Sequence, residues 1–245
     1  LPMIAGNWKM HKTVAESLDL AKDIVSLTNG ASPEVVIFPT FTALESVAAA
    51  IDGRHVGYGA QNLHWEAQGA FTGEISGPML ADIGCQYVLV GHSERRHIFG
   101  ETDEMIAKKV RAALQSDLVP VLCVGETLEE REAGETDAVL MRQVDSALAG
   151  LAAHELATLV IAYEPVWAIG TGKTASVADA AAASALIRSL VAKMDADAAR
   201  TLRILYGGSV KPDNIAPFMA EDNIDGALVG GASLEAETFA RIVRY

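Results

Sequence analysis

The segment Thr158-Leu159-Val160-Ile161-Ala162-Tyr163-Glu164-Pro165 indicates the class of fold that this chain adopts. Its first six residues are mostly branched or aromatic and do not alternate with polar residues, which is typical of a strand buried on both faces of a parallel sheet. Pro165 favours an extended conformation for Glu164 and ends the strand. Because a carboxylate at the mouth of a buried strand loses hydration, we expect the pKa of Glu164 to be raised and this group to act as a base.

Strand-like runs of this kind recur along the whole chain, separated by segments of helical period. The eight predicted strands are 3–6, 35–38, 55–58, 87–90, 119–124, 158–163, 203–206 and 226–229. Helical period is found, for example, at 14–27, 101–115, 138–151, 176–194 and 234–243. This alternation predicts an α/β fold, a single-domain (β/α)8 barrel over residues 1–245. An open doubly wound sheet is the alternative, but Gly57-Tyr58-Gly59 lacks the third glycine of a dinucleotide fingerprint.

Composition limits the partners of the chain. Its 245 residues are 50% hydrophobic and carry a net charge of -13, which argues against nucleic acid or an anionic membrane surface as a partner. The apolar runs fall short of the ~18 residues of a spanning helix. Cys85 and Cys123 lack CxxC spacing, so we expect free thiols and a cytoplasmic location. A small anion can still be held locally by backbone N–H groups and one lysine.

In a (β/α)8 barrel the active site lies at the carboxyl ends of the strands, so the residues just after each strand are the candidates. Asn7 and Lys9 follow the first strand, and strand period places them on one side. An isolated lysine at such a position is more often a solvated surface residue. His92 follows the fourth strand where a helix begins, and the positive helix end should keep its ring neutral. The alternative is a simple capping segment with Ser93 as the cap.

Several other motifs fail on inspection. A nucleophile elbow would need glycine where Arg95 stands. His92 and His97 are five residues apart with no completing ligands, so no metal site is predicted. A P-loop ending at Lys173 would need its first glycine at Trp167. Glu126, after the fifth strand, is interpreted as structural.

Two glycine-rich strand ends and one glycine-punctuated loop predict ligand contacts. Gly207-Gly208-Ser209 follows strand seven and Gly230-Gly231 follows strand eight, where barrels commonly bind phosphate. The loop after Glu164 combines an apolar face with two glycines, the composition of a hinged lid, although an ordinary strand-to-helix loop is the alternative. The predicted lid is Pro165-Val166-Trp167-Ala168-Ile169-Gly170-Thr171-Gly172-Lys173-Thr174.

Taken together, five segments resemble the signature segments of the triosephosphate isomerase family. The segments are 5–10, 90–96, 162–172, 206–209 and 228–233, in the family's order and one at each expected strand end. His11 departs from the family, which often has asparagine there. The resemblance implies a TIM barrel that interconverts dihydroxyacetone phosphate and glyceraldehyde 3-phosphate through an enediolate, with no cofactor and no metal.

The same resemblance implies roles for individual residues. Glu164 is expected to be the base, His92 the neutral hydrogen-bond donor and Lys9 the electrostatic stabiliser. The carboxylate base, neutral histidine and closing loop are well known in this family. Asn7 should position Lys9, and Glu94 should be its charge partner. The phosphate group is expected on the backbone N–H groups of Gly170, Ser209, Gly230 and Gly231.

The segment 61–74 is long and too apolar for a solvated loop, and the resemblance implies that it is an arm that enters a partner subunit and makes a homodimer. Trp65, Phe71, Thr72 and Gly73 belong to this arm, and the resemblance places Thr72 near the partner's Asn7 and the partner's Lys9. The alternative is an arm folded on its own barrel. Two other functions remain open from the sequence: another phosphosugar enzyme, and a barrel with a secondary binding role.

Overall fold

Eight parallel strands close into a barrel in a computed structural model that describes residues 1–169 and 174–245. Each strand pairs with the next in the sequence, and the first also pairs with the last. The strands are β1 (Met3–Asn7), β2 (Glu34–Phe38), β3 (Val56–Ala60), β4 (Tyr87–Val90), β5 (Val119–Val124), β6 (Val160–Tyr163), β7 (Arg203–Tyr206) and β8 (Gly226–Val229). The predicted (β/α)8 barrel is therefore confirmed.

Helices surround the barrel and connect its strands. They are α1 (Val14–Leu27), α2 (Phe41–Ile51), α3 (Gly77–Asp82), α4 (Ser93–His97), α5 (Asp103–Gln115), α6 (Leu128–Glu132), α7 (Thr136–Leu148), α8 (Ala153–Thr158), α9 (Val177–Met194), α10 (Ala196–Thr201), α11 (Ile215–Met219) and α12 (Ala236–Val243). Two short 3₁₀ helices are Val166–Ala168 and Gly231–Leu234. Within the described ranges, none of the helices has the length and apolarity to cross a bilayer.

Two apolar clusters account for the unbroken hydrophobicity of the strands. Alternate strand residues point to opposite faces, so each strand serves both clusters. Outward-facing residues such as Ile4 and Ile37 pack beneath the helices. The inward-facing cluster contains Met3, Ala5, Val36, Phe38, Tyr87, Leu89, Val121, Cys123, Val160, Ala162, Leu205 and Leu228. Because this cluster fills the barrel, a ligand can bind only at its ends.

The predicted element bounds are wrong at several ends, where side-chain capping decides the boundary. Strand six was expected from residue 158, but helix α8 continues to that residue, whose hydroxyl donates to the Glu155 carbonyl one turn earlier at 2.8 Å. Strand three lies one to two residues later than expected. Helix α5 begins after Thr102, whose hydroxyl accepts the N–H of Met105 at 3.2 Å, so Glu101 lies outside it.

Glu101 instead belongs to a buried polar cluster against α5. The ammonium group of Lys109 donates to Asn62 Oδ1 at 2.7 Å and also to the Glu101 carboxylate. The Lys109 and Glu101 side chains are only 4% and 2% exposed. Burial lowers the pKa of Lys109, and the contact with Glu101 opposes this effect. Arg95 also pairs with the Glu101 carboxylate, so the carboxylate has two cationic partners, whereas Glu101 is the charge that offsets the buried ammonium of Lys109.

Lys109→Met is expected to lower the free energy of unfolding by about 1–3 kcal/mol, because Asn62 Oδ1 loses its donor and the buried Glu101 carboxylate keeps only Arg95 as a cationic partner. Urea denaturation at one fixed protein concentration measures this change. The matched control is Lys108→Met, since Lys108 makes an exposed ion pair with Glu104 and should contribute less than about 1 kcal/mol. Equal losses in both variants would contradict the prediction.

Candidate active site

A cavity of about 260 Å³ opens at the carboxyl ends of the strands. It brings together the residues predicted after strands one, four, six, seven and eight, apart from Gly170, which lies outside the described residues. Its lining is Asn7, Lys9, His92, Glu164, Ile169, Gly207, Gly208, Ser209, Val210, Lys211, Leu228, Gly230, Gly231 and Ala232. Glu94, in the neighbouring cavity, reaches the site through its contact with Lys9.

Lys9 enters the cavity from a turn and not from the strand. The first strand ends at Asn7, and Lys9 has a φ of 52°, the left-handed region that side chains other than glycine rarely adopt. Asn7 Oδ1 accepts the N–H of Lys9 at 3.0 Å, and Gln61 donates to the Lys9 carbonyl at 2.8 Å. Both backbone groups of Lys9 are thus held. Its Nζ lies 2.6 Å from Glu94 Oε1, which makes this pair a direct contact.

His92 is the N-cap of α4, so the interpretation of Ser93 as the cap is wrong. His92 Nδ1 accepts the N–H of Glu94 at 3.2 Å, and Ser93 is the first helical residue. A ring nitrogen that accepts a hydrogen bond carries no proton, so the proton is assigned to Nε2. Nε2 lies 2.9 Å from Glu164 Oε1 and donates to it. This arrangement requires a neutral ring.

The pKa of His92 is pulled in two directions. Burial lowers the pKa, but the Glu164 carboxylate and then Glu94 raise it, and the net shift is upward. The larger part of this upward shift depends on the contact with ionised Glu164. The Nδ1 hydrogen bond, by contrast, is made by the backbone of the helix itself, so we assign His92 as neutral in this arrangement.

The pKa of Glu164 departs from the sequence-based expectation. Its carboxylate is buried, with one oxygen accepting from His92 and the other accepting the N–H of Ser93 at 3.0 Å. Burial raises its pKa, but His92, the Ser93 N–H and the charge of Lys9 together lower it more. The expected rise is therefore wrong here, because burial alone is visible in a strand pattern whereas these hydrogen-bond donors are not.

Ser93→Pro is expected to raise the pKa of Glu164 above its wild-type value, because proline removes the N–H that the carboxylate accepts. The first helical position tolerates proline, and His92, with φ −50° and ψ 143°, already has the conformation that proline requires before it. Carbon-13 titration of a labelled Glu164 carboxyl measures the change. Ser93→Ala, which keeps the N–H, is the control; an unchanged pKa in the proline variant would contradict the assignment.

The glycine-rich ends of β7 and β8 line the same cavity as Glu164. Asn214 holds the loop after β7 by donating to the Ser209 carbonyl at 3.0 Å. After β8, the Ser233 hydroxyl and N–H both donate to the Gly230 carbonyl, at 2.7 and 2.8 Å. A Cβ placed on Gly230 would lie 3.6 Å from Cε of Lys9, so the lysine stem runs alongside this loop. These fixed turns can present N–H groups to an anion next to a cation.

Comparison with known proteins agrees with this geometry. A family model described as triosephosphate isomerase matches residues 2–245. The chain belongs to the triosephosphate isomerase family. The resemblance found in the sequence is thereby confirmed, and as a member of this family the chain is an isomerase.

Relatives in the triosephosphate isomerase family align along almost the entire chain. The triosephosphate isomerase of Moorella thermoacetica is 56% identical over 244 residues, covering 100% of this chain and 98% of the relative. That of Pelobacter propionicus is 55% identical over 246 residues, covering 100% and 98%. The crystal structure of triosephosphate isomerase from Bartonella henselae superimposes with a TM-score of 0.90 at 39% identity, covering 98% and 97%.

The predicted lid of this family member is described at 165–169 and at Thr174, while Gly170, Thr171, Gly172 and Lys173 lie outside the described residues. Its first part rests on the buried carboxylate of Glu126. Trp167 Nε1 donates to Glu126 Oε1 at 2.9 Å, and the Tyr163 hydroxyl donates to the same oxygen at 3.1 Å. Glu126 does not line the cavity, in keeping with a structural role. Sequence reasoning missed its bond to Trp167, 41 residues away.

The predicted arm is half packed, with its start against the core and its tip exposed. Trp65 packs against the core, and the His64 ring lies 4.3 Å from Trp65 and 4.4 Å from Phe71. Phe71, Thr72 and Gly73 at the tip are exposed. Beside the cavity at the strand ends, a second cavity of about 460 Å³ is lined by the exposed apolar side chains Met10, Phe41 and Phe99. Among the described residues, no group of three or more His, Cys, Asp or Glu side chains is placed to hold a metal ion.

Proposed function

We propose that this isomerase interconverts dihydroxyacetone phosphate and D-glyceraldehyde 3-phosphate by proton transfer through an enediolate. The observation that carries the proposal is that Lys9, His92 and Glu164 meet in one small cavity with the glycine-rich turns after β7 and β8. These residues come from five different strands, yet they supply a base, a neutral donor, a cation and an anion site together. The relatives' own activity, triosephosphate isomerase, supports the same substrate class.

Glu164 is the proposed base. In the free protein its oxygens are held by His92 and the Ser93 N–H, and these contacts lower its pKa against the effect of burial. A substrate that displaces the carboxylate from these donors leaves the effect of burial unopposed, and the pKa then rises. The same displacement frees Nε2–H of His92 to donate to a substrate carbonyl oxygen. Proton transfer between adjacent carbons then needs only these side chains.

Lys9 is the proposed electrostatic stabiliser of the enediolate. Its ammonium group projects into the cavity from a backbone that Asn7 and Gln61 hold fixed. A fixed cation lowers the energy of developing oxyanion charge without having to reorganise during the reaction. Asn7 has the role of positioning this lysine, and Glu94 the role of balancing its charge between turnovers.

The phosphate group is proposed to bind the N–H groups of Ser209, Gly230 and Gly231, together with Gly170 in the lid. Backbone donors next to Lys9 give a local positive field despite the net charge of -13. Binding of this non-reacting group can drive closure of the lid 165–174, which excludes water from the enediolate. The hydrogen bond from Trp167 to Glu126 supports a lid whose N-terminal end is held against the barrel.

A coupled assay with dihydroxyacetone phosphate and glyceraldehyde 3-phosphate tests the function directly. We expect turnover in both directions with no added cofactor or metal. Assay of aminated and ring-opened sugar phosphates alongside them separates the proposal from a related phosphosugar activity. Turnover of one of those compounds without turnover of the trioses would overturn the proposed substrate.

We further propose a homodimer in which the exposed arm tip of one subunit enters the cavity beside Met10, Phe41 and Phe99 of the other. Light scattering after size exclusion should give about twice the chain mass of 25.8 kDa. Phe99→Glu should shift the mass to one chain, because it places a charge in the apolar contact. Met141→Glu, on the outer helix α7, is the control and should stay dimeric. A wild-type monomer at micromolar concentration contradicts the proposal.

The proposed location is the cytoplasm. Both cysteines, Cys85 and Cys123, are free and buried, and burial raises their thiol pKa values, that of Cys85 to about 12. Thiols of this kind suit a reducing compartment.

A further inference from the structure

Arg96 bonds the ends of two neighbouring strands at the active-site side of the barrel. Its side chain is 7% exposed, and it does not line the catalytic cavity. Nε donates to the Gly91 carbonyl at 2.8 Å, directly after β4, and Nη2 donates to the Cys123 carbonyl of β5 at 2.9 Å. Nη1 donates to Asp103 Oδ1 at 2.7 Å, which fixes the guanidinium against α5.

The strand end at β4 leads directly into His92. Gly91 has a φ of 71°, the left-handed conformation that favours glycine, and this turns its carbonyl towards Arg96. A Cβ on Gly91 would lie 3.0 Å from Nη2 of Arg96. Close approach of the guanidinium therefore requires glycine at this position. The residue that follows is the N-cap whose ring faces Glu164.

The strand end at β5 supports Glu164. The residue after Cys123 is Val124, whose carbonyl accepts the N–H of Glu164 at 2.7 Å. A Cβ on the next residue, Gly125, would overlap the backbone of Glu164. The end of β5 is thus the surface on which the backbone of Glu164 rests. Arg96 joins this surface to the residue that precedes His92.

We propose that Arg96 is a positioning residue that sets the separation of His92 and Glu164 by tying the end of β4 to the end of β5. It touches neither side chain and does not contact substrate. The role rests on the proposed function of this pair, whose Nε2 to Oε1 distance is 2.9 Å. A planar guanidinium can bond two carbonyls and a carboxylate at once, whereas the single ammonium of lysine cannot reproduce that fork.

The chain supplies a matched control at the opposite end of the barrel. Arg188 donates to the Ala199 carbonyl at 2.7 Å, to Asn223 Oδ1 at 2.9 Å and to Asp225 Oδ2 at 2.6 Å. Asp225 directly precedes β8, and Arg188 also bonds Leu202, which directly precedes β7. It therefore ties two neighbouring strands where they begin, at the end of the barrel away from the cavity, again through backbone carbonyls and one carboxylate.

Arg96→Lys and Arg188→Lys should separate positioning from general stabilisation. Both variants are expected to unfold at lower urea concentration than wild type. Only Arg96→Lys should lower kcat, by about 10-fold to 10²-fold, since a misplacement near 1 Å can cost that much. Inhibition by inorganic phosphate should be unchanged in both, because the turns after β7 and β8 are untouched. Nitrogen-15 shifts of the His92 ring should move in Arg96→Lys alone.

The inference is overturned if Arg96→Lys keeps both the wild-type kcat and the wild-type nitrogen-15 shifts of the His92 ring. It is also overturned if Arg188→Lys lowers kcat by as much as Arg96→Lys does. If Arg96→Lys does not fold, Asp103→Asn takes its place, since it removes the carboxylate that orients the guanidinium; it should change kcat and the His92 shifts in the same direction. If wild type does not isomerise triose phosphates, the proposed function fails. The ring shifts of His92 still decide the positioning role in that case.

Discussion

Glu164→Gln is expected to lower kcat by about 10²–10⁴-fold, the range for losing a general base. Glutamine keeps the shape of the side chain and can still accept the N–H of Ser93, but it cannot take a proton from substrate carbon. Folding should be preserved, since the carbonyl oxygen of the amide retains a hydrogen-bond partner in the buried site. The coupled assay with both triose phosphates, run on wild type and variant, measures the loss.

The control for this variant is Glu34→Gln at the other end of the barrel. Glu34 accepts from the Tyr87 hydroxyl and pairs with Arg203, so it too is a partly buried, hydrogen-bonded carboxylate. It should lose stability but not turnover. Comparable kcat values in wild type and Glu164→Gln would rule out Glu164 as the base.

Lys9→Met is expected to lower kcat by about 10²–10³-fold, as found when one group that stabilises a developing oxyanion is removed. Methionine keeps an unbranched stem and must adopt the same left-handed backbone, so the variant removes charge with little other change. Stability should change by at most about 1 kcal/mol, because the lost pair with Glu94 is partly exposed. Steady-state kinetics with a urea denaturation curve on the same preparation test both statements.

Lys12→Met is a close control, because Lys12 lies in the same loop and also has a left-handed backbone, with a φ of 72°. It does not line the catalytic cavity and should keep wild-type kcat. A similar loss of kcat in both lysine variants would show that the effect comes from the overall positive charge of the loop and not from the position of Lys9. No loss in Lys9→Met would remove Lys9 from the proposed mechanism.

The barrel and the convergence of the site residues could be predicted because both depend on local patterns. Each buried strand is a short apolar run, and the residue that ends each run lies at the same rim once the barrel closes. Asn7, His92 and Glu164 were found in this way. Lys9 reaches the same cavity by a left-handed turn that strand period does not describe.

The remaining features depend on contacts between residues far apart in the sequence. Ser93 and Glu164 are 71 positions apart, and their hydrogen bond helps to reverse the expected direction of the Glu164 pKa. The bond from Trp167 to Glu126 and the bonds from Arg96 to two strand ends are likewise nonlocal. A periodic pattern reports which residues are buried but not which polar groups meet there.

The left-handed backbone of Lys9 has a consequence for how this chain could be changed by mutation. A non-glycine residue held there costs on the order of 1–3 kcal/mol, so the free protein is less stable than its contacts alone would make it. Glycine at the same position would relieve that strain and remove the cation together. Selection for thermal stability alone would therefore favour a substitution that inactivates the protein, and only selection for turnover keeps lysine there.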